Sequence, residues 1–288
     1  MKNQNQALAH MKTEYESVKM PEFQVTQIKE TIRRAKADNR RVTARRKSLA
    51  GIAAAIVLMI ALPNASPTVA RAMSDVPVLG GVIRVVTFRN YTYEDESHSA
   101  QIDAPQLVAD GDAGLADTTD EINAEIEKIT AELTDEFQKS LQEDVHLDMK
   151  IRSEIVTATE ELFTLRLTCY QAAASGYEEN HYYTVDLRTG ERLCLSDLFT
   201  DGADYVTPIS EEIKGQMRER MAADENETYW LDSGDPEWDF NAIKPDAEFY
   251  INEHGELVIS FNEGDAAPMY MGVVTFVIPD EVIANIRK

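Results

Sequence analysis

Histidine and cysteine are scarce here, at five and two residues in a chain of 288. No His-Glu-x-x-His pair occurs, and His98, His146, His181 and His254 stand in unrelated contexts, so the pattern of a zinc hydrolase is missing. A Gly-x-Ser-x-Gly elbow is missing as well. Carboxylates are so many, 51 Asp and Glu, that the spacing of any two carries no signal for glycoside chemistry. Residues 1–47 contain no cysteine, which excludes a zinc-type binding fold there. Cys169 falls on the apolar side of an alternating stretch and Cys194 between two leucines, which leaves two buried thiols or one disulfide. These absences point to a chain that is not an enzyme and needs no cofactor. Long apolar runs are missing too, with one exception.

That exception is residues 48–70, which carry no charge between Lys47 and Arg71. Its unbroken apolar core, Leu49–Leu62, would span about 21 Å as a helix, and the whole run about 35 Å, against a hydrocarbon thickness of roughly 30 Å. Pro63 and Pro67 interrupt the second half, and Ala70-Arg71-Ala72 follows, the small-x-small pattern read by signal peptidase before Met73. A basic flank, an apolar run, helix breakers and Ala-x-Ala make the grammar of a secretory signal, placed nearly fifty residues from the start. The expectation is a transmembrane anchor that keeps a cleavable bond on its outer side; an ordinary export signal is the alternative.

Bases are the next shortage, and it is one-sided. Residues 1–47 hold twelve Lys and Arg against five acids, net +7, whereas the remainder has net −30 in a chain of total −23. Basic residues near a span stay in the cytoplasm. The expected topology is therefore single-pass in the cell membrane, N-terminus cytoplasmic and C-terminus extracellular. So short a cytoplasmic segment buries little core. Its readable element follows Pro21: Val25, Ile28 and Ile32 lie on one helical face, suited to a cytoplasmic partner or, more plainly, to anionic headgroups.

Beyond a juxtamembrane linker at 71–81, the expected fold class is α+β, with antiparallel sheets and packed helices in two subdomains, 82–175 and 176–288. Val82–Phe88 reads as a strand, and Pro105 divides two short ones at Ser99–Ile102 and Gln106–Val108. Ala109–Thr119 reads as a loop, after which Thr118-Thr-Asp-Glu121 caps a helix bearing Ile122, Ile126, Ile129, Leu133, Phe137 and Leu141 on one stripe. Strands follow at Val145–Thr157 and Glu161–Tyr170, with hairpins around Arg188-Thr-Gly190 and His254-Gly255. Val206, Ile209, Ile213, Met217 and Met221 mark a second helix, and Met271–Ile278 a last strand.

Several motifs carry a resemblance: Ala70-Arg-Ala-Met73, Pro77-Val-Leu-Gly80, Val85-Val-Thr-Phe-Arg89, Tyr183-Thr-Val-Asp-Leu-Arg-Thr-Gly-Glu-Arg192, Leu195-Ser-Asp-Leu-Phe199, Phe249-Tyr-Ile-Asn252 and Ala267-Pro-Met-Tyr-Met-Gly272. Across most of its length the chain resembles the anti-sigma-V factor family, single-span proteins that act as lysozyme receptors. The resemblance implies that residues 1–47 hold an extracytoplasmic-function sigma factor. It also implies that lysozyme, bound outside, exposes the bond after Ala72 to signal peptidase, and that an intramembrane protease completes release. The Ala-Pro-x-Tyr loop that enters the lysozyme cleft maps onto Ala267, Pro268 and Tyr270. Gly264-Asp265 and Met269 depart from the usual loop pattern. Partners are thus a sigma factor, a cationic cell-wall-acting protein and two proteases, with no nucleic acid. An exported cell-wall-binding protein or hydrolase with a cleaved signal is the rival reading.

Overall fold

The computed structural model describes residues 76–77, 83–110, 113–143, 145–234 and 239–288. The expectations placed on Val25, Ile28 and Ile32, on the apolar run 48–70, and on Ala70, Ala72 and Met73 fall outside those residues. Among the described residues, no helix is long and apolar enough to cross a membrane.

Seven strands form one sheet in chain order: β1 (Val76–Pro77), β2 (Ile83–Glu94), β3 (His98–Ala109), β4 (Leu147–Ala158), β5 (Leu162–Ala172), β6 (Gly176–Asp186) and β7 (Glu191–Arg192). All neighbours are antiparallel except β3 and β4, which run parallel. The purely antiparallel expectation therefore fails at one pair, and the reason is the connection. A 31-residue helix, α1 (Ala113–Glu143), follows β3. At about 46 Å it carries the chain back along the sheet, so β4 enters from the same end as β3. Its stripe packs as its spacing demands: Leu115, Ile122, Ile126 and Phe137 are buried, with Ile129, Leu133 and Leu141 beside them.

Three local expectations are corrected. β3 is continuous through Pro105. Pro105 has the same parity as Leu107, whose N–H points to α1 and not to β2, and β4 pairs only as far as Ile102. The missing N–H of Pro105 thus costs no ladder bond. Opposite it, β2 skips a residue between Thr87 and Arg89, a bulge. Where β4 no longer reaches, the Asn123 amide of α1 takes the place of a strand, accepting from Leu107 N–H and donating to Leu107 O at 2.8 Å each.

The expected loop before Thr118 is helical from Ala113. Burial of Leu115 to 2 % exposure adds a turn in front of the apparent cap. The threonine hydroxyls are used otherwise: Thr118 donates to Gly190 O at 2.6 Å and Thr119 to Ala116 O at 2.9 Å. The last strand is also shorter than expected, since Met271 lies in a 3-10 turn and the strand starts at Val274.

A second core forms on the chain after β7. A 3-10 turn (Leu195–Leu198) leads to α2 (Val206–Ala223), which lays Ile209, Ile213 and Met217 on a three-stranded antiparallel sheet. That sheet has the order β10-β9-β8, from β8 (Phe249–Ile251), β9 (Leu257–Phe261) and β10 (Val274–Ile278), and a short α3 (Asp280–Ile283) closes the chain. The first sheet continues past residue 175, where the sequence suggests a subdomain boundary, to Arg192. Cys169 is buried in the first core, where burial pushes its thiol up to about 12, and Cys194 is exposed instead of buried. Both are free thiols.

Gly190 joins the hairpin β6–β7 to α1. Its φ is +76°, and a Cβ there would stand 3.0 Å from the Leu115 backbone nitrogen. Gly190→Ala therefore combines left-handed strain of about 1–2 kcal/mol with a backbone clash. Thermal unfolding of the purified chain is expected to show a loss of at least that size, and an unchanged melting temperature would mean that α1 does not rest on this turn.

Candidate functional site

The loop between β9 and β10 is braced before it is exposed. Three N–H groups on the outer edge of β6, those of Glu178, Asn180 and Tyr182, lie beyond the reach of β7, which pairs only with Val185 and Asp186. The second module supplies their acceptors: Glu263 Oε2 at 2.8 Å, Asn262 Oδ1 at 2.8 Å and Glu248 Oε2 at 2.9 Å. Asn262 and Glu263 are the first two residues of the loop, so its root is bonded to the seven-stranded sheet. Burial pushes the Glu248 carboxyl up to about 7, opposed by the Tyr182 N–H it accepts. His181 stands between Glu179 (3.8 Å) and Glu248 (4.0 Å).

The middle of the loop is held by Trp230. Its indole N–H donates to Gly264 O at 3.2 Å, and its backbone N–H to Ala266 O at 2.9 Å. Ala266 and Ala267 are buried at 0 % and 1 % exposure, where only small side chains fill the space between the sheet and this clamp. Pro268 is extended (φ −56°, ψ 146°), and Met269–Met271 turn once as a 3-10 helix, closed by Gly272 N–H to Met269 O at 3.0 Å. Gly272 has φ +66° with open space around a Cβ, so glycine is needed there for its backbone alone.

The consequence is a division of the expected site. Pro268, Met269 and Tyr270 come together on the surface, with Met269 46 % and Tyr270 70 % exposed. Ala267 faces the core and stands apart from that exposed pair. Tyr270 does not pack inward, the structural alternative that its sequence context leaves open. The Trp230 clamp is missed by sequence reasoning because residues 224–248 have no apolar period. The only available signal is that a tryptophan in a polar stretch needs a partner for its N–H.

Among the described residues, no group of three His, Cys, Asp or Glu side chains is arranged to hold a metal ion. The braced loop is suited to contact with another macromolecule: an apolar body, one polar tip, and little backbone freedom left to lose.

A family model described as a protein of unknown function (DUF3298) matches residues 196–281, the second module. Two solved structures of that family share the fold. One, from Bacteroides fragilis NCTC 9343, is 18 % identical with a TM-score of 0.51, covering 69 % of this chain and 90 % of its own. The other, from Pseudomonas aeruginosa PAO1, is 15 % identical with a TM-score of 0.50, covering 74 % and 96 %. The anti-sigma-V factor RsiV of Bacillus subtilis strain 168 is 36 % identical over 283 residues, 97 % of this chain and 96 % of its own. With that identity sustained from end to end, the chain belongs to the anti-sigma-V factor family.

Proposed function

We propose that this protein is a membrane-anchored anti-sigma factor whose outer domain senses lysozyme or a similar cationic cell-wall-acting protein. The observation that carries the regulatory role is the extent of the match. At 97 % coverage it leaves too few residues outside to omit the basic segment, the apolar run or the outer domain. Residues 1–47 hold the sigma factor, 48–70 cross the membrane, 71–81 link, and the remainder samples the exterior. A net charge of −30 beyond residue 47 favours fast encounter with a cationic partner. The sensory reading is supported by the exposure of Met269 and Tyr270 on a loop braced by Trp230, Asn262 and Glu263. Release follows when signal peptidase cuts after Ala72 and an intramembrane protease acts on the stub.

Each segment has its own test. Ala72→Trp places a bulky residue where signal peptidase needs a small one, so the full-length species should persist under lysozyme challenge on immunoblots. Cutting at the wild-type rate would assign the first cut to another protease. Ile28→Asp combined with Ile32→Asp puts charge on the apolar stripe, and a sigma-dependent reporter should then be on without inducer. A silent reporter at normal protein level would remove the stripe from the interface.

For the sensor loop, Tyr270→Ala should cost about 2 kcal/mol of binding, roughly thirtyfold in Kd, when the detergent-solubilised chain is titrated with a cationic lysozyme. At 70 % exposure the same change should leave the melting temperature within a degree or so. Wild-type affinity in the variant would end the role of this loop.

A further inference from the structure

Where the second module meets the outer edge of β6, two grooves of about 310 and 360 Å³ lie side by side, with Tyr177 and Glu179 lining both. The first adds Glu132 and Glu136 of α1, and His181. The second adds Asp246, Glu248 and Asp265, with Phe240 and Phe261 as aromatic wall. Six carboxylates thus line the passage against one lysine, Lys244, and one histidine, His181.

Charge alone marks no site, but one side chain in this groove is unexplained. Ser260, on β9, is 4 % exposed, lines the second groove, and its hydroxyl oxygen has no hydrogen-bond partner. An orphaned buried hydroxyl destabilises the fold unless something meets it. Close by in the lining, Glu248 commits Oε2 to the Tyr182 N–H, while Oε1 stands 4.0 Å from His181 Nδ1, beyond hydrogen-bond reach. The groove therefore offers an orphaned hydroxyl and, beside it, a half-buried carboxylate with one oxygen facing the groove's opening to solvent, with rings suited to a methylene stem.

We propose that this groove binds a basic peptide segment, with a lysine ammonium seated between Ser260 and Glu248 and further basic side chains toward Glu179, Glu132 and Glu136. A primary ammonium brings three donors and no acceptor, which suits the Ser260 hydroxyl oxygen and the carboxylates around it. Its stem has Phe240 and Phe261 to lie against. A metal ion fits less well, since no three carboxylate or imidazole groups converge among the described residues. The site goes beyond the sensor loop: it touches that loop only through Asn262 and Asp265, and neither Met269 nor Tyr270 lines it.

The chemistry sets a pH signature. Burial holds the Glu248 carboxyl at about 7, in a surrounding that includes Glu179 and His181 of β6, Arg192 of β7, Glu125 of α1, and Lys244, Asp246 and Asp265 of the groove. With the groove empty, the group is partly protonated near neutrality. An ammonium beside it favours the carboxylate, so binding releases a proton and tightens as pH rises through about 7, while lysine stays charged.

The experiment is calorimetric titration of the detergent-solubilised full-length chain with tetralysine at low salt. Affinity should rise about tenfold from about pH 6 to about pH 8, as the fraction of ionised carboxyl does. Glu248→Gln keeps an acceptor for Tyr182 N–H but loses the charge; it should weaken binding about tenfold at the higher pH and flatten the pH dependence. Ser260→Ala removes a hydroxyl without a partner, so it should weaken binding several-fold, roughly the loss of one hydrogen bond to a charge, and not lower the melting temperature. Tyr270→Ala should leave tetralysine binding unchanged, which separates failure of this site from failure of the sensor loop. Equal binding of tetralysine by wild type, Glu248→Gln and Ser260→Ala would mean diffuse attraction to an acidic surface and overturn the site. Equal binding of side-chain-acetylated tetralysine would overturn the ammonium, and binding of spermidine but not tetralysine would overturn the peptide.

Discussion

A strand with one partner leaves every second N–H on its other edge without an acceptor, and β6 is such a strand over most of its length. β7 covers its last two residues only. The N–H groups of Glu178, Asn180 and Tyr182 face outward, and side chains of the second module accept all three. A protein with this edge uncovered would offer a template for pairing with other chains. Covering it with carboxylates and an amide, in place of another strand, stops the sheet and docks the second module in one step. The same three contacts set where the loop between β9 and β10 starts and tie the Glu248 carboxylate to the edge of β6.

The loop shows how a surface site depends on residues that never see the surface. Met269 and Tyr270 stand out because Ala266 and Ala267 fit inward and Trp230 holds the chain on both sides of them. A larger side chain at either alanine would lift the turn from the core, and the exposed pair would lose its fixed aim. Short, buried and apparently featureless residues thus set how Tyr270 is presented at the surface.

Much of this was legible in the sequence where one local rule acts alone. The stripe of α1, the stripe of α2 and both hairpins appear where their periods and turn residues place them, because burial of one face agrees with propensity. Misreadings occur where a distant partner overrides the local signal. Pro105 looks like a strand breaker only until its nitrogen is seen to point at an edge with no strand beside it. Thr118 looks like a cap until Leu115 is pulled into the core and the hydroxyl finds Gly190. The parallel pairing of β3 with β4 has no local signature, being a property of the crossover. At the site, a proline-tyrosine loop between two strong strands was readable, but the inward turn of Ala267 and the clamp by Trp230 were not. Nothing in a single sequence marks residue 260 as the serine left without a partner.

The brevity of β1 has a mechanical side. Val76 and Pro77 pair with Val85 and Arg84 on the sheet edge, four residues beyond Ala72. Four extended residues reach at most about 14 Å, so whatever lies four positions ahead of β1 stays within that distance of the sheet edge. Two residues are the least sheet that can be peeled away, and peeling them moves the tether point to Ile83. The leash then grows to about 40 Å, close to threefold. An event that loosens so small a strand therefore changes the reach of the chain far more than its stability.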